Sequence, residues 1–114
     1  MIDWSRVNSL RMEIGDDSFD EVVEIFLEEV ESVVSRLRSD PNPAKFEEDL
    51  HFLKGSAWNL GFLDFGALCQ EGERLAAHGN AAKVNMGAVI DCYAESRVAF
   101  VAGLRKRDGR ITAA

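Results

Sequence analysis

No stretch of this chain approaches the ~20 consecutive apolar residues that a membrane-crossing helix needs. Its first ten residues, MIDWSRVNSL, also lack the apolar core of a secretory signal. Cysteine is scarce: Cys69 and Cys92 show no metal-ligand spacing and fall in apolar helical contexts, which reads as two buried, reduced thiols. Proline occurs only at Pro41 and Pro43, so helices elsewhere run uninterrupted. Alternating β-branched runs closed by hairpin turns are missing, which excludes a strand-built fold. Positive charge is in deficit. A net charge of −7 argues against a general nucleic-acid binder, which needs a basic face. The one basic cluster, Arg105, Lys106, Arg107 and Arg110, ends the last helical segment, where cations complement the helix dipole. These absences point to a soluble cytoplasmic chain without nucleic-acid or membrane partners.

What remains is helical periodicity over most of 114 residues, a length suited to one domain. We expect a core of about 2–107 and a short C-terminal tail at 108–114. A short first helix runs from about Asp3 to Gly15. The second opens near Asp16 or Asp17 and turns Phe19, Val22, Val23, Phe26, Val30, Val33, Val34 and Leu37 inward. Its Glu21, Glu24, Glu28, Glu29, Glu31 and Arg36 form a solvated face. The third begins after Asn42, with Pro43 at its first position, and continues to about Gly61. The fourth spans roughly Asp64–His78 with Gly79 as its stop, and the fifth about Asn85–Arg107. The expected fold is all-α: an antiparallel, up-and-down four-helix bundle preceded by a short extra N-terminal helix.

The third helix has two faces. At about 100° per residue, Phe46, Leu50, Leu53, Ala57 and Leu60 form a core stripe. His51, Lys54, Gly55, Trp58 and Phe62 cluster on the opposite side, with Glu47 and Glu48 one turn earlier. A mid-helix glycine costs roughly 1 kcal/mol relative to alanine, so Gly55 calls for a reason other than stability. An outward imidazole, a cation one turn on, a surface stripped of bulk by Gly55 and Ser56, and apolar anchors at Trp58 and Phe62 describe one thing. It is a site for taking an anionic group from a docking protein.

If the chain reverses near residue 62, positions 51 and 73 each lie 11 residues from the turn and stand level. Residue 73 is Glu73. Its carboxylate can accept the Nδ1–H of His51, which leaves Nε2 as the nucleophilic nitrogen. An ordinary surface role for Glu73, paired with Arg74 or Lys54, is the alternative. Gln70, one turn earlier, is a weaker candidate. His78 sits before Gly79 at a helix end, where a cation suits the dipole. His51 and His78 stand at different heights, and no H-E-x-x-H or E-x-x-H pair supports a metal site. Phosphate-cradling glycine loops are also missing.

The string His51-Phe52-Leu53-Lys54-Gly55-Ser56-Ala57, completed by Gly61, resembles the signature of histidine-containing phosphotransfer (HPt) domains. Leu68-Cys69 with Glu73 four residues on is similar to the pattern of their next helix, and FDEVVEIFLEEV to their second helix. The resemblance spans roughly residues 2–104. It implies a phosphorelay phosphocarrier rather than an enzyme: His51 accepts a phosphoryl group on Nε2 from a response-regulator receiver aspartate, or from a hybrid histidine kinase, and passes it to another receiver. By the same resemblance Lys54 is the cation near the phosphoryl oxygens, Gly55 the clearance for the receiver, and Glu73 the Nδ1 partner. Phe52, Ser56, Trp58 and Phe62 become docking residues. No cofactor is expected here, since Mg²⁺ belongs to the partner receiver. Family members usually carry a small residue at Trp58; the indole either covers Gly55 or folds aside. A rival reading is a regulatory module that binds a receiver or kinase without carrying phosphate.

Overall fold

Asp3 opens the first helix by accepting the backbone N–H groups of Ser5 and Arg6, two of the donors a helix start leaves unpaired. The computed structural model describes residues 1–107; the tail expected at 108–114 lies outside them. Helix α1 (Trp4–Ile14) leads through Gly15 directly into the long α2 (Asp16–Ser39). A 3₁₀ turn at Pro43–Lys45, capped by Asn42, enters α3 (Phe46–Leu60), so the α-helix proper starts three residues later than Pro43 suggests. Then follow α4 (Leu63–Ala77), a second 3₁₀ turn at Ala81–Lys83, and α5 (Met86–Arg107). The result is the expected all-α bundle, with α3 and α4 forming its tightest antiparallel pair.

The core follows the helical stripes. On α2 it consists of Phe19, Val23, Leu27, Val30, Val34 and Leu37. Leu27 was not among the residues expected inward, whereas Phe26 and Val33 pack only partly against the core. Leu27 continues the spacing of Phe19 and Val23 at four-residue steps, which keeps one ridge facing inward. Cys69 is sealed in the interior, and burial pushes its thiol up to about 12. Both cysteines are free. Glu31, expected on the solvated face, instead reaches α5: it accepts the Tyr93 hydroxyl at 3.1 Å and Arg97 Nε at 2.8 Å.

The turn between α3 and α4 corrects one expectation. Phe62 is buried, 1% exposed, and does not share the surface of His51. The helix ends at Leu60, and Gly61 takes the left-handed conformation at φ +78°, so residue 62 no longer follows the helical projection. Its ring meets Phe100 edge-on, with centroids 5.2 Å apart, and lies 6.4 Å from Tyr93. An N-terminal strap fixes this arrangement: Asp3 donates to the Gly61 carbonyl at 2.7 Å, and Leu63 donates to the Met1 carbonyl at 3.0 Å. The strap runs so close that a Cβ on Gly61 would stand 2.7 Å from the Asp3 carbonyl oxygen.

Gly61→Ala should therefore lower stability by about 1–3 kcal/mol, through left-handed strain and displacement of the strap. Urea unfolding measures it. An unchanged midpoint would mean that the turn does not depend on glycine.

Candidate functional site

The inner stripe of α3 is as the periodicity requires: Phe46, Leu50, Leu53, Ala57 and Leu60 are all buried. Its outer side carries His51, whose side chain is 70% exposed. Across the hairpin stands Glu73 of α4, at the height expected from counting back from the turn. Its Oε2 accepts a hydrogen bond from His51 Nδ1 at 2.8 Å. A carboxylate can only accept, so this contact places the ring proton on Nδ1 and leaves Nε2 with the free lone pair.

Lys54 completes the set, its Nζ 2.7 Å from Glu73 Oε1. The Glu73 side chain is only 19% exposed, and its buried Oε1 has this ammonium as an ion-pair partner without a well-angled hydrogen bond. The Lys54 contact does most to hold the Glu73 carboxyl below the usual carboxylate range; partial burial pushes the other way, and the His51 ring adds to Lys54. Glu73 is thus anionic at neutral pH and serves two neighbours at once. Arg74, the alternative partner weighed from sequence, binds Glu71 instead. Gln70 is exposed on α4 and takes no part in the set.

Gly55 has open space around it: a Cβ there would meet nothing within 4 Å. Phe52 and Trp58 are exposed, at 39% and 38%, on the flanks of this bare patch. The indole of Trp58 does not cover Gly55. It lies across α4 on Gly66, where a Cβ would stand 2.6 Å from the ring. Ser56 is a second correction. It is buried, because residue 56 lies about 140° around the helix from His51 and faces the bundle.

Sequence reasoning missed the support beneath the site. Asp49, two residues before His51 but on the inner side, is buried and pairs with Arg36 of α2 at 2.6 Å. The signal was available, since an acid on the inward face of a helix requires a partner. His78 donates Nδ1–H to the Arg74 carbonyl at 2.8 Å, closing the last turn of α4. Among the described residues, no group of three or more His, Cys, Asp or Glu side chains is arranged to hold a metal ion. Nor is any helix among them long and apolar enough to cross a membrane.

Comparison with known families returns a match to the Hpt domain over residues 21–99, well over half of the chain. The matched span holds most of α2, both helices of the site and most of α5, and leaves out α1. No curated protein and no solved structure matches the chain.

Because Lys54 outweighs His51 in holding the Glu73 proton off, Lys54→Met should raise the Glu73 pKa more than His51→Gln does. Carboxyl-carbon NMR titration reads both. A depressed acid stabilises the fold above its unfolded pKa and loses that contribution as pH falls through the folded value. Lys54→Met narrows the gap between the folded and unfolded values, so it should lower stability near neutral pH and make the Glu73 part of the loss on acidification smaller.

Proposed function

The chain belongs to the Hpt family, whose members carry phosphoryl groups in phosphorelay signalling, and we propose that His51 is the residue of this chain that carries them. The observation that supports this reading best is the 2.8 Å contact between His51 Nδ1 and Glu73 on a ring otherwise open to solvent. It pre-sets the tautomer that phosphoryl transfer requires and costs no rearrangement when a partner arrives.

In the proposed step the phosphorus–oxygen bond of a receiver's aspartyl phosphate breaks, and a phosphorus–nitrogen bond forms at Nε2. The receiver carboxylate leaves with the electron pair, and the ring takes up positive charge. Glu73 keeps the proton at Nδ1 and steadies that charge. Lys54 has three N–H donors and uses one direction on Glu73. The others can turn to the phosphoryl oxygens without surrendering the pair. Gly55 admits the receiver's backbone near the ring, and Phe52 and Trp58 give it apolar surface to cover. Passing the group to a second receiver reverses these steps.

Phosphoryl transfer asks little covalent work of a protein beyond alignment and charge stabilisation. This site offers a nucleophile, its orienting carboxylate and one cation. We assign the remaining charge stabilisation, including Mg²⁺, to the partner receiver, so the chain acts as carrier rather than catalyst. The cytoplasm, where such receivers work, is the proposed setting.

Incubation with acetyl-phosphate-charged receiver domains should transfer label to the chain in an acid-labile, base-stable form. His51→Gln should abolish it, and Glu73→Ala should slow transfer on the order of tenfold to a hundredfold. Label persisting in His51→Gln would overturn the assignment. A cellular effect that survives His51→Gln would favour the non-phosphorylated binding module.

Gly55→Ala separates docking from folding. With no neighbour to clash, it should raise stability by about 0.5–1 kcal/mol while slowing transfer from the receiver. Unchanged transfer would show that the bare patch is not an approach path.

A further inference from the structure

A shallow depression opens beside His51, lined by Ala44, Glu47, Glu48, His51 and Glu73. No cation lines it. Glu47 and Glu48 stand four and three residues before His51, so all three occupy neighbouring positions on one flank of α3. Helical side chains lean toward the N-terminus, which inclines the His51 ring over the turn that carries these two glutamates. Both glutamates are exposed, and among the described residues neither has an ion-pair partner, although Arg36 attracts Glu48 from a distance. The direct ion pair of Arg36 is with Asp49 and that of Arg74 with Glu71.

The charge balance is unfavourable for a resident anion. The lining of the depression itself contributes three negative charges around the ring, from Glu47, Glu48 and Glu73; Lys54 is already engaged by Glu73, and Arg36 and Lys45 act on Glu48 from outside that lining. A phosphoryl group adds roughly two more negative charges at neutral pH. Acids in the first turn of a helix also complement its dipole. That explains why acids occur there, and Asp49 shows that one of them can turn inward to Arg36. It does not require the other two to border the imidazole.

We infer that Glu47 and Glu48 hold a phosphoryl group on His51 at raised transfer potential, so that it comes to rest on a partner aspartate in preference to the histidine. This inference rests on the phosphocarrier reading above. In the favoured direction the nitrogen–phosphorus bond at Nε2 breaks and its electron pair returns to the ring. A phosphorus–oxygen bond forms to the aspartate carboxylate, and the Nδ1 proton stays on the imidazole facing Glu73. The step needs no redox partner and no added proton. Glu47 and Glu48 are positioning residues in this sense: they act on the carried group through their field and do not bond to it.

The test is an equilibrium ratio. The full chain is mixed with a receiver domain charged by radiolabelled acetyl phosphate, and acid and base lability separate phosphohistidine from phosphoaspartate at completion. In about 50 mM salt, the double variant Glu47→Gln/Glu48→Gln should move the ratio toward His51 by about three- to tenfold. In about 1 M salt, where screening acts within ~3 Å, most of that difference should vanish. The remote pair Glu28→Gln/Glu29→Gln makes the same change in net charge and should leave the ratio unchanged. An unchanged ratio in the Glu47/Glu48 variant, or an equal shift in the remote one, overturns the inference while leaving the carrier reading intact. Failure of the wild-type chain to take up any label overturns both. The ratio does not depend on how fast the proteins dock, so a weakened encounter cannot imitate the result.

Discussion

The register between α3 and α4 is the constraint on which the site depends. Their connection is only Gly61 and Phe62, and the glycine's left-handed conformation ends one helix while the buried phenylalanine starts the next. A link this short allows little slippage, so residues equally far from it come to lie side by side. Position 51 meets 73 by this rule, and 58 meets 66. The aromatic cluster of Phe62, Phe100 and Tyr93 and the N-terminal strap clamp the turn from inside and outside. The chemistry of His51 is therefore positioned by packing some ten residues away.

Glu73 links that register to the proposed function. One carboxylate has two oxygens, and each faces a different N–H-bearing side chain of α3, three residues apart on the same helix. The arrangement ties the orientation of the imidazole to the placement of the ammonium. It also spans the hairpin, so His51, Lys54 and Glu73 share a frame with the core stripe behind them. On the other side of α3, Asp49 and Arg36 join the helix to α2. His51 thus sits on a helix held at both flanks, and the surrounding surface is left bare at Gly55.

Much of this was legible in the sequence, for reasons that differ from residue to residue. His51 and Glu73 could be placed because helical rise and the symmetry of a hairpin depend on counting alone. The same count would have matched Trp58 with Gly66; the question asked of the indole concerned Gly55, its neighbour along the helix. Phe62 was misplaced because an angular projection holds only while the helix lasts, and the positive φ of Gly61 ends it one residue earlier. Ser56 was grouped with Gly55 for its size, although its angle turns it inward. Asp49, Glu31 and Leu27 illustrate a further limit. Periodicity assigns faces from polarity, so it passes over a buried acid with a partner on another helix, and it cannot rank two adjacent apolar residues.

The seat of Trp58 on Gly66 has an optical consequence. An exposed indole seven residues along α3 from the imidazole reports the polarity of whatever covers it. The chain's other tryptophan, Trp4, is stacked on Phe100 beneath the guanidinium of Arg107, in surroundings of a different kind. The protein consequently carries its own fluorophore on the proposed docking face, and an attached dye is unnecessary for watching that face become covered.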